Sequence, residues 1–277
     1  MTINDPTDQT KPRVLTDRFG NIIDSGNGLY VQTQATKNSE YLFEICKGNI
    51  PGHTPIFFSG TNKAVSSTPE TIRSVGGLYP FQTAASQWTI QSDSINDTSG
   101  GTGAQLLIIQ GLDSNYDEIS EIIVPNGTSL VNTVNSYIAV NGFSCIQAGS
   151  NNTNDGNIDL VANSTDNMAR IVAGQNQALQ AVKTVPNGKT WFTRSFTPTC
   201  GKDDELKLDA VARLPNGLRQ FVSETYLFQS NFMFYNSEPI AFPATFGLEV
   251  RASKTGGIAD SKISIVNTFL EIANDQF

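Results

Sequence analysis

The chain reads as a mainly β protein, and three observations lead there. Short apolar runs recur roughly every 8–12 residues, turn-forming residues separate them, and a sustained helical period is almost missing. The stretch from Trp88 to Leu160 shows this best. Gln105 to Gln110 is a strand with a nearly continuous apolar middle, Asp113 to Tyr116 turns the chain, and Glu118 to Val124 brings it back. Asn126-Gly127 is a second turn, of a composition that tolerates positive φ. Strands at this spacing predict β-sandwiches or jelly rolls. With a break near 163–168, the expected organisation is an extended arm over 1–45, a first β-sandwich domain over 46–165 and a second, jelly-roll-like one over 166–277.

Taken in order, residues 1–13 are polar, contain Pro6 and Pro12 and show no period. Residues 14–50 alternate weakly, through Leu29 and Val31 and then Tyr41, Phe43 and Ile45. Such an arm has no core of its own and orders by lying on a neighbour. Residues 46–58, CKGNIPGHTPIFF, read as an irregular loop because two prolines and two glycines fall close together. Ser67-Thr68-Pro69-Glu70 has the form of a capping box with an early proline, which predicts one short helix near 68–75, ended by Gly76-Gly77. Met168 to Val185 is ambiguous between helix and strand. The central Gly174 and the alternation from Leu179 to Val185 favour strands on both sides of a turn at Gly174 to Gln177. Pro186-Asn187-Gly188-Lys189 and Pro215-Asn216-Gly217 are strong turns. Gly201 to Asp204 turns into an alternating strand from Glu205 to Arg213, with Leu206, Leu208 and Ala210 on one face. The aromatic run Phe221, Tyr226, Phe228, Phe232, Phe234 and Tyr235 belongs to a sandwich core or an oligomer interface, with a carbohydrate platform as the alternative. A strand from Gly247 to Ala252, a turn at Gly256-Gly257 and a last strand from Lys262 to Ile272 complete the chain.

Composition narrows the function classes. Charged residues make up 16% and hydrophobic ones 38%, so Ser, Thr, Asn, Gln and Gly must cover much of the surface. That suits a β protein packed among copies of itself, where burying charge is costly. A net charge of −8 argues against nucleic acid, since phosphate binding relies on Lys and Arg releasing counterions. It argues equally against an anionic membrane. No signal peptide and no run of about 18 apolar residues is visible. Cys46, Cys145 and Cys200 are widely spaced and odd in number, and are expected to be buried free thiols rather than disulfides or zinc ligands.

Candidate chemistry fails on spacing. SGGTGA, at 99–104, lacks the Lys of a phosphate loop and is followed by a strand. GSNNTNDGN, at 149–157, resembles the start of a calcium loop through Asn151, Thr153, Asp155 and Gly156. Its twelfth position is Ala162, where a Glu is needed. His53, the one histidine, has no nucleophile and acid placed near it by spacing. Asp117, Glu118 and Glu121, and Asp203, Asp204 and Glu205, read as solvated faces. Neither GxSxG nor HExxH occurs. No catalytic, cofactor-binding or metal-binding residue is nominated.

A set of segments carries a family resemblance. They are Lys47 to His53, Gly76 to Tyr79, Gln91 to Thr128, Asn135 to Ile158, Ala181 to Phe192 and Phe246 to Ser253. Through them the chain resembles a group of virion structural proteins of tailed phages and environmental viral sequences. The DTSGGTGA, GLDSNYDE and NGT series carries most of it. The resemblance implies a non-enzymatic virion component without cofactors, made in the host cytoplasm and bound to other virion proteins of the capsid or tail. Related chains include head-decorating, fibre and tail-associated proteins. The β composition, the aromatic run over 221–235 and the extended arm lead to the expectation of a capsid-associated decoration or minor capsid protein, a homo-oligomer with a trimer favoured, attached to the particle or a neighbouring subunit through the arm. A tail- or fibre-associated module that binds a receptor or glycan, with Trp88, Trp191 or Tyr226 exposed, is the alternative.

Overall fold

The computed structural model describes residues 15–16, 22–23, 41–202, 204–228, 234–235, 238–257 and 261–276. The chain divides into two compact units, Met1–Asn49 and Ile50–Phe277. In the first, β1 (Leu15–Thr16) pairs antiparallel with β2 (Ile22–Ile23), and residues 41–46 are helical. The alternation of Tyr41, Phe43 and Ile45 therefore does not mark a strand. The backbone bonds from Lys47 to Phe43 and Asn49 to Glu44 close the turn, and Gly48, at φ 76°, ends it in the left-handed conformation that glycine adopts without strain. The Glu44 carboxylate holds Lys47 Nζ at 2.7 Å and Asn49 Nδ2 at 2.6 Å on the same short element. The rest of the expected arm over 1–45 lies outside the described residues.

The second unit is built almost wholly of strands: β3 (His53–Val65), β4 (Glu70–Thr71), β5 (Ser86–Ser92), β6 (Ala104–Leu112), β7 (Glu118–Ile123), β8 (Val131–Tyr137), β9 (Ala139–Ala148), β10 (Ile158–Ala162), β11 (Asp166–Ile171), β12 (Val182–Thr184), β13 (Lys189–Cys200), β14 (Asp204–Arg213), β15 (Arg219–Phe228), β16 (Phe234–Tyr235), β17 (Ala241–Phe242), β18 (Gly247–Gly257) and β19 (Ser261–Ala273), with a closing 3-10 turn at Asn274–Gln276. All the ladders are antiparallel. No helix among the described residues is long and apolar enough to cross a membrane.

Two pairs of sheets each enclose a core. A four-stranded sheet, β11-β10-β5-β8, faces a three-stranded one, β7-β6-β9. Trp88, Ile90, Leu160 and Met168 from the first meet Leu107, Ile109, Ile123 and Phe143 from the second. We call this the inserted pair, because all its strands lie between β4 and β12 in the chain. The framing pair consists of β12-β18-β14-β15, with β4 on β18, and β16-β13-β19-β3, with β17 on β13. Its core contains Phe58, Ile72, Trp191, Leu206, Leu208, Val250, Ile265 and Phe269. The strands flanking the Gly174 turn are as the sequence suggests, and β14 alternates inward through Leu206 and Leu208 before a bulge at Ala210/Val211 breaks the pattern.

Three expectations need correction. The loop over 46–58 is replaced from His53 onward by β3, a strand of 13 residues. Pro55 is tolerated there because, among the described residues, β3 pairs only with β19 and is an edge strand, where proline fits. The helix near 68–75 does not form. The Glu70 carboxylate reaches back to Ser66 N at 2.7 Å, as a cap would, and forward to Gly77 N at 2.9 Å. Meanwhile Glu70 and Thr71 pair with β18, and Ile72, fully buried, gives its N–H to Val250 O at 3.0 Å. Burial in the framing core outweighs a weak local preference. Three ladders join residues on either side of 165/166: β11 with β10, β4 with β18, and β3 with β19 along nearly its whole length. Gly256 and Gly257 lie within β18 rather than in a turn.

Candidate functional site

The two loops weighed separately for phosphate and calcium come together in the structure. Gly149 N donates to Gly103 O at 2.7 Å, and Asn151 N to Thr102 O at 3.0 Å. Asp97, fully buried, sits between them. Its Oδ1 accepts from Ala104 N at 2.7 Å and Asp155 N at 2.8 Å, and its Oδ2 from Ser92 Oγ at 2.6 Å and Gly156 N at 2.9 Å. A side chain on Gly103 would collide with that carboxylate, which explains the glycine. Asn154 extends the staple: its Nδ2 donates to Gly156 O and Val172 O, and its Oδ1 accepts from Asn176 N. On the exposed rim, hydrogen bonds from Asn96 and Ser94, and then Asn151, hold the Asp155 carboxyl below its ordinary range. Protein donors fill the acceptor positions of Asp97, so this carboxylate ties two loops rather than presenting charge to a ligand. Nothing in the sequence set Asp97 apart from the other Asp and Asn residues of its loop.

The other candidates scatter. His53 opens β3, with Nδ1 2.9 Å from Pro51 O. Cys46 is exposed and Cys145 and Cys200 are half-buried, so the thiols are not the buried ones expected. Two acids are not solvated faces. Half-buried Glu121 accepts from Val134 N at 2.8 Å and Asn135 N at 2.9 Å, tying β7 to β8 across the inserted pair. Asp204, buried, accepts from Gly201 N and Lys262 N. Asp203 lies outside the described residues. Trp88 and Trp191 are 1% and 2% exposed, so neither forms a surface platform. Trp191 instead donates Nε1 to buried Glu271 at 2.8 Å, and Lys189 Nζ stands 3.3 Å from the same carboxylate. Nearby, burial lowers the Lys183 ammonium from its ordinary 10.5 to about 8, against the opposing pull of Glu271.

The surface that stands out is β15. Among the described residues it is the end strand of its sheet and pairs only with β14. Only Leu227 of its ten residues is fully buried. Phe221 is 64% exposed, Tyr226 50% and Phe228 59%. Tyr226 and Phe228 lie stacked on one face, with ring centroids 6.5 Å apart and planes 14° from parallel. Opposite Tyr226 on β14, Lys207 bonds Glu224 at 2.7 Å and Asp209 at 3.2 Å. Natural edges are usually blunted by proline, lysine or shortness. β15 has none of these, whereas β3, the free edge of the facing sheet, carries Pro55 and Lys63. Of the aromatic run, Phe232 lies outside the described residues.

Comparison with known proteins adds little. No family model matches the chain, and no curated protein matches it. Among solved structures, the infectious bursal disease virus Gt strain is similar over 86% of this chain and 79% of that one, at 10% identity and a TM-score of 0.22. The Gx strain of the same virus covers 81% and 73%, at 12% identity and 0.24. T=1 particles derived from infectious bursal virus cover 84% and 75%, at 11% identity and 0.24. Likeness at this level defines neither a shared fold nor a shared role.

Proposed function

We propose that the chain is a non-enzymatic virion structural protein that binds neighbouring subunits through its β surfaces. The observation that carries this reading is β15, an unprotected ten-residue edge strand with three exposed aromatic side chains. Such an edge offers unpaired backbone groups and apolar area together, which suits strand addition or face burial by a neighbour. The low charge and the family resemblance of the central segments point the same way. The finer reading is a capsid-associated decoration or minor capsid protein of a tailed phage, homo-oligomeric, attached through residues 1–45. Antibody labelling and quantitative mass spectrometry of particles purified from a producing culture test it. Regular labelling at a fixed copy number is expected; particles free of the chain overturn it.

A second reading has one observation in its favour. The stacked, exposed Tyr226–Phe228 pair has the form of a platform for a sugar ring in a receptor-binding module. A glycan array with the wild-type chain and Tyr226→Ala tests it: binding lost in the variant supports it, and no binding by either removes it.

A further inference from the structure

The core of the framing pair is not filled. Between its two sheets lies a cavity of about 290 Å³, walled by Phe58, Phe196, Phe242 and Phe269 on one side and Leu208 and Val250 on the other. Phe58 and Phe269 stack at 5.3 Å, and Phe242 meets Phe269 edge-on at 6.3 Å, so the aromatic wall is braced. Asn267 lies on the inner face of β19, between Ile265 and Phe269, and lines this cavity. It is 3% exposed, and its Oδ1 has no hydrogen-bond partner. The neighbouring polar groups are committed elsewhere: Ser195 Oγ pairs with Thr268 Oγ1 at 2.7 Å, and Thr193 Oγ1 accepts from Ile240 N at 2.9 Å. A close-packed interior rarely leaves such a space, and a buried amide oxygen rarely goes unpaired.

We propose that this cavity is a binding site for a small neutral amphiphile: an aromatic or aliphatic body of roughly ten heavy atoms, at about 30 Å³ of liquid volume each, with one hydroxyl or N–H donor directed to Asn267 Oδ1. The phenyl-walled space accepts the apolar body, and the orphaned amide sets its orientation. An anionic head is disfavoured, because the charged residue of the described lining is Glu249, a buried carboxylate already engaged by Thr71 and Arg251.

The test compares 4-ethylphenol with 4-ethyltoluene, which has the same number of heavy atoms but no donor, by ligand-observed NMR titration against the purified full chain. The wild-type chain binds the phenol about tenfold more tightly than the hydrocarbon, the effect of one hydrogen bond in a dry site. Asn267→Leu abolishes that preference while retaining the hydrocarbon. Ala210→Phe, which fills the lining from β14, abolishes both, with circular dichroism confirming the fold. Absence of phenol binding, equal affinity for both probes, or a preference that survives in Asn267→Leu overturns the proposal. If Ala210→Phe does not fold, the Asn267→Leu comparison decides alone.

Discussion

Replacing Asp97 by Asn changes one atom of the staple between the loops at 93–103 and 149–157, and its cost can be worked from the geometry. The amide oxygen can still accept from Ala104 N and Asp155 N. The amide nitrogen takes the place of Oδ2, which accepts from Ser92 Oγ and Gly156 N. Ser92 can rotate its hydroxyl to accept instead of donate. Gly156 cannot: its N–H then faces another N–H, buried and without a partner. An orphaned buried donor costs about 1–3 kcal/mol, and each bond to a charged acceptor is worth about 1.5–3 kcal/mol. The two bonds at Oδ1 also become neutral ones. Relief of the burial of a charge offsets part of this, leaving a net loss of about 3 kcal/mol. For a chain of this size that lowers the melting temperature by about 5 °C. Urea unfolding measures the loss, and amide hydrogen exchange locates it at Ala104, Asp155 and Gly156, spreading to Gly103 and Gly149. A change below about 1 kcal/mol with exchange at these amides unaltered would refute the account of Asp97 as the tie between the loops.

Two further outcomes follow from the framing pair. Lys183 is depressed from 10.5 to about 8 in the folded chain, so the unfolded chain binds more protons between these values and stability rises with pH across that window. Below pH 8 the burial penalty is present in full, and Lys183→Met stabilises the chain by up to about 3 kcal/mol at pH 7, with the gain vanishing above pH 10.5; urea titrations at several pH values check this, and a gain independent of pH contradicts it. Gly60 on β3 leaves no room for a methyl group: a Cβ there would stand 2.5 Å from both Ala181 N and Ile72 O, which are bonded to each other at 2.8 Å. Gly60→Ala therefore forces backbone apart and costs about 1–3 kcal/mol in chemical denaturation, the range for overpacking a tight site.

The parts of the structure legible in the sequence are those that repeat locally. The Asp113 loop is one: Asp113 Oδ1 accepts from Asn115 N and Asp117 N, and Tyr116 N returns to Asp113 O. The Asn-Gly turns before β13 and β15 are others, with Gly188 and Gly217 at positive φ. What could not be read depends on partners distant in sequence. β3 looked like a loop because of Pro51, Gly52 and Pro55, and it is the pairing with β19 that makes it an edge strand able to carry Pro55. The capping signal at Ser67–Glu70 was chemically real, since Glu70 does bind Ser66 N, but β18 captured the residues that would have continued a helix. The helix at 41–46 is shorter than two turns, too short for its period to outweigh an accidental alternation, although Gly48 and the Glu44–Lys47 spacing were visible cues. Asp97 bonds Ala104 seven residues away and Gly156 59 residues away, a relation without any period. The aromatic run of β15 was visible as a cluster, but whether its rings faced a core or solvent depended on β15 being the last strand of its sheet.

The reading of β15 as an assembly surface is tested most directly by sedimentation velocity of the full chain over a range of concentrations, beside the double variant Phe221→Lys/Phe228→Lys. The account predicts that the wild-type chain forms a discrete oligomer, while the variant sediments as the 29.9 kDa monomer with its thermal unfolding unchanged. A wild-type chain that stays monomeric at every concentration, or a variant that assembles as the wild type does, contradicts it.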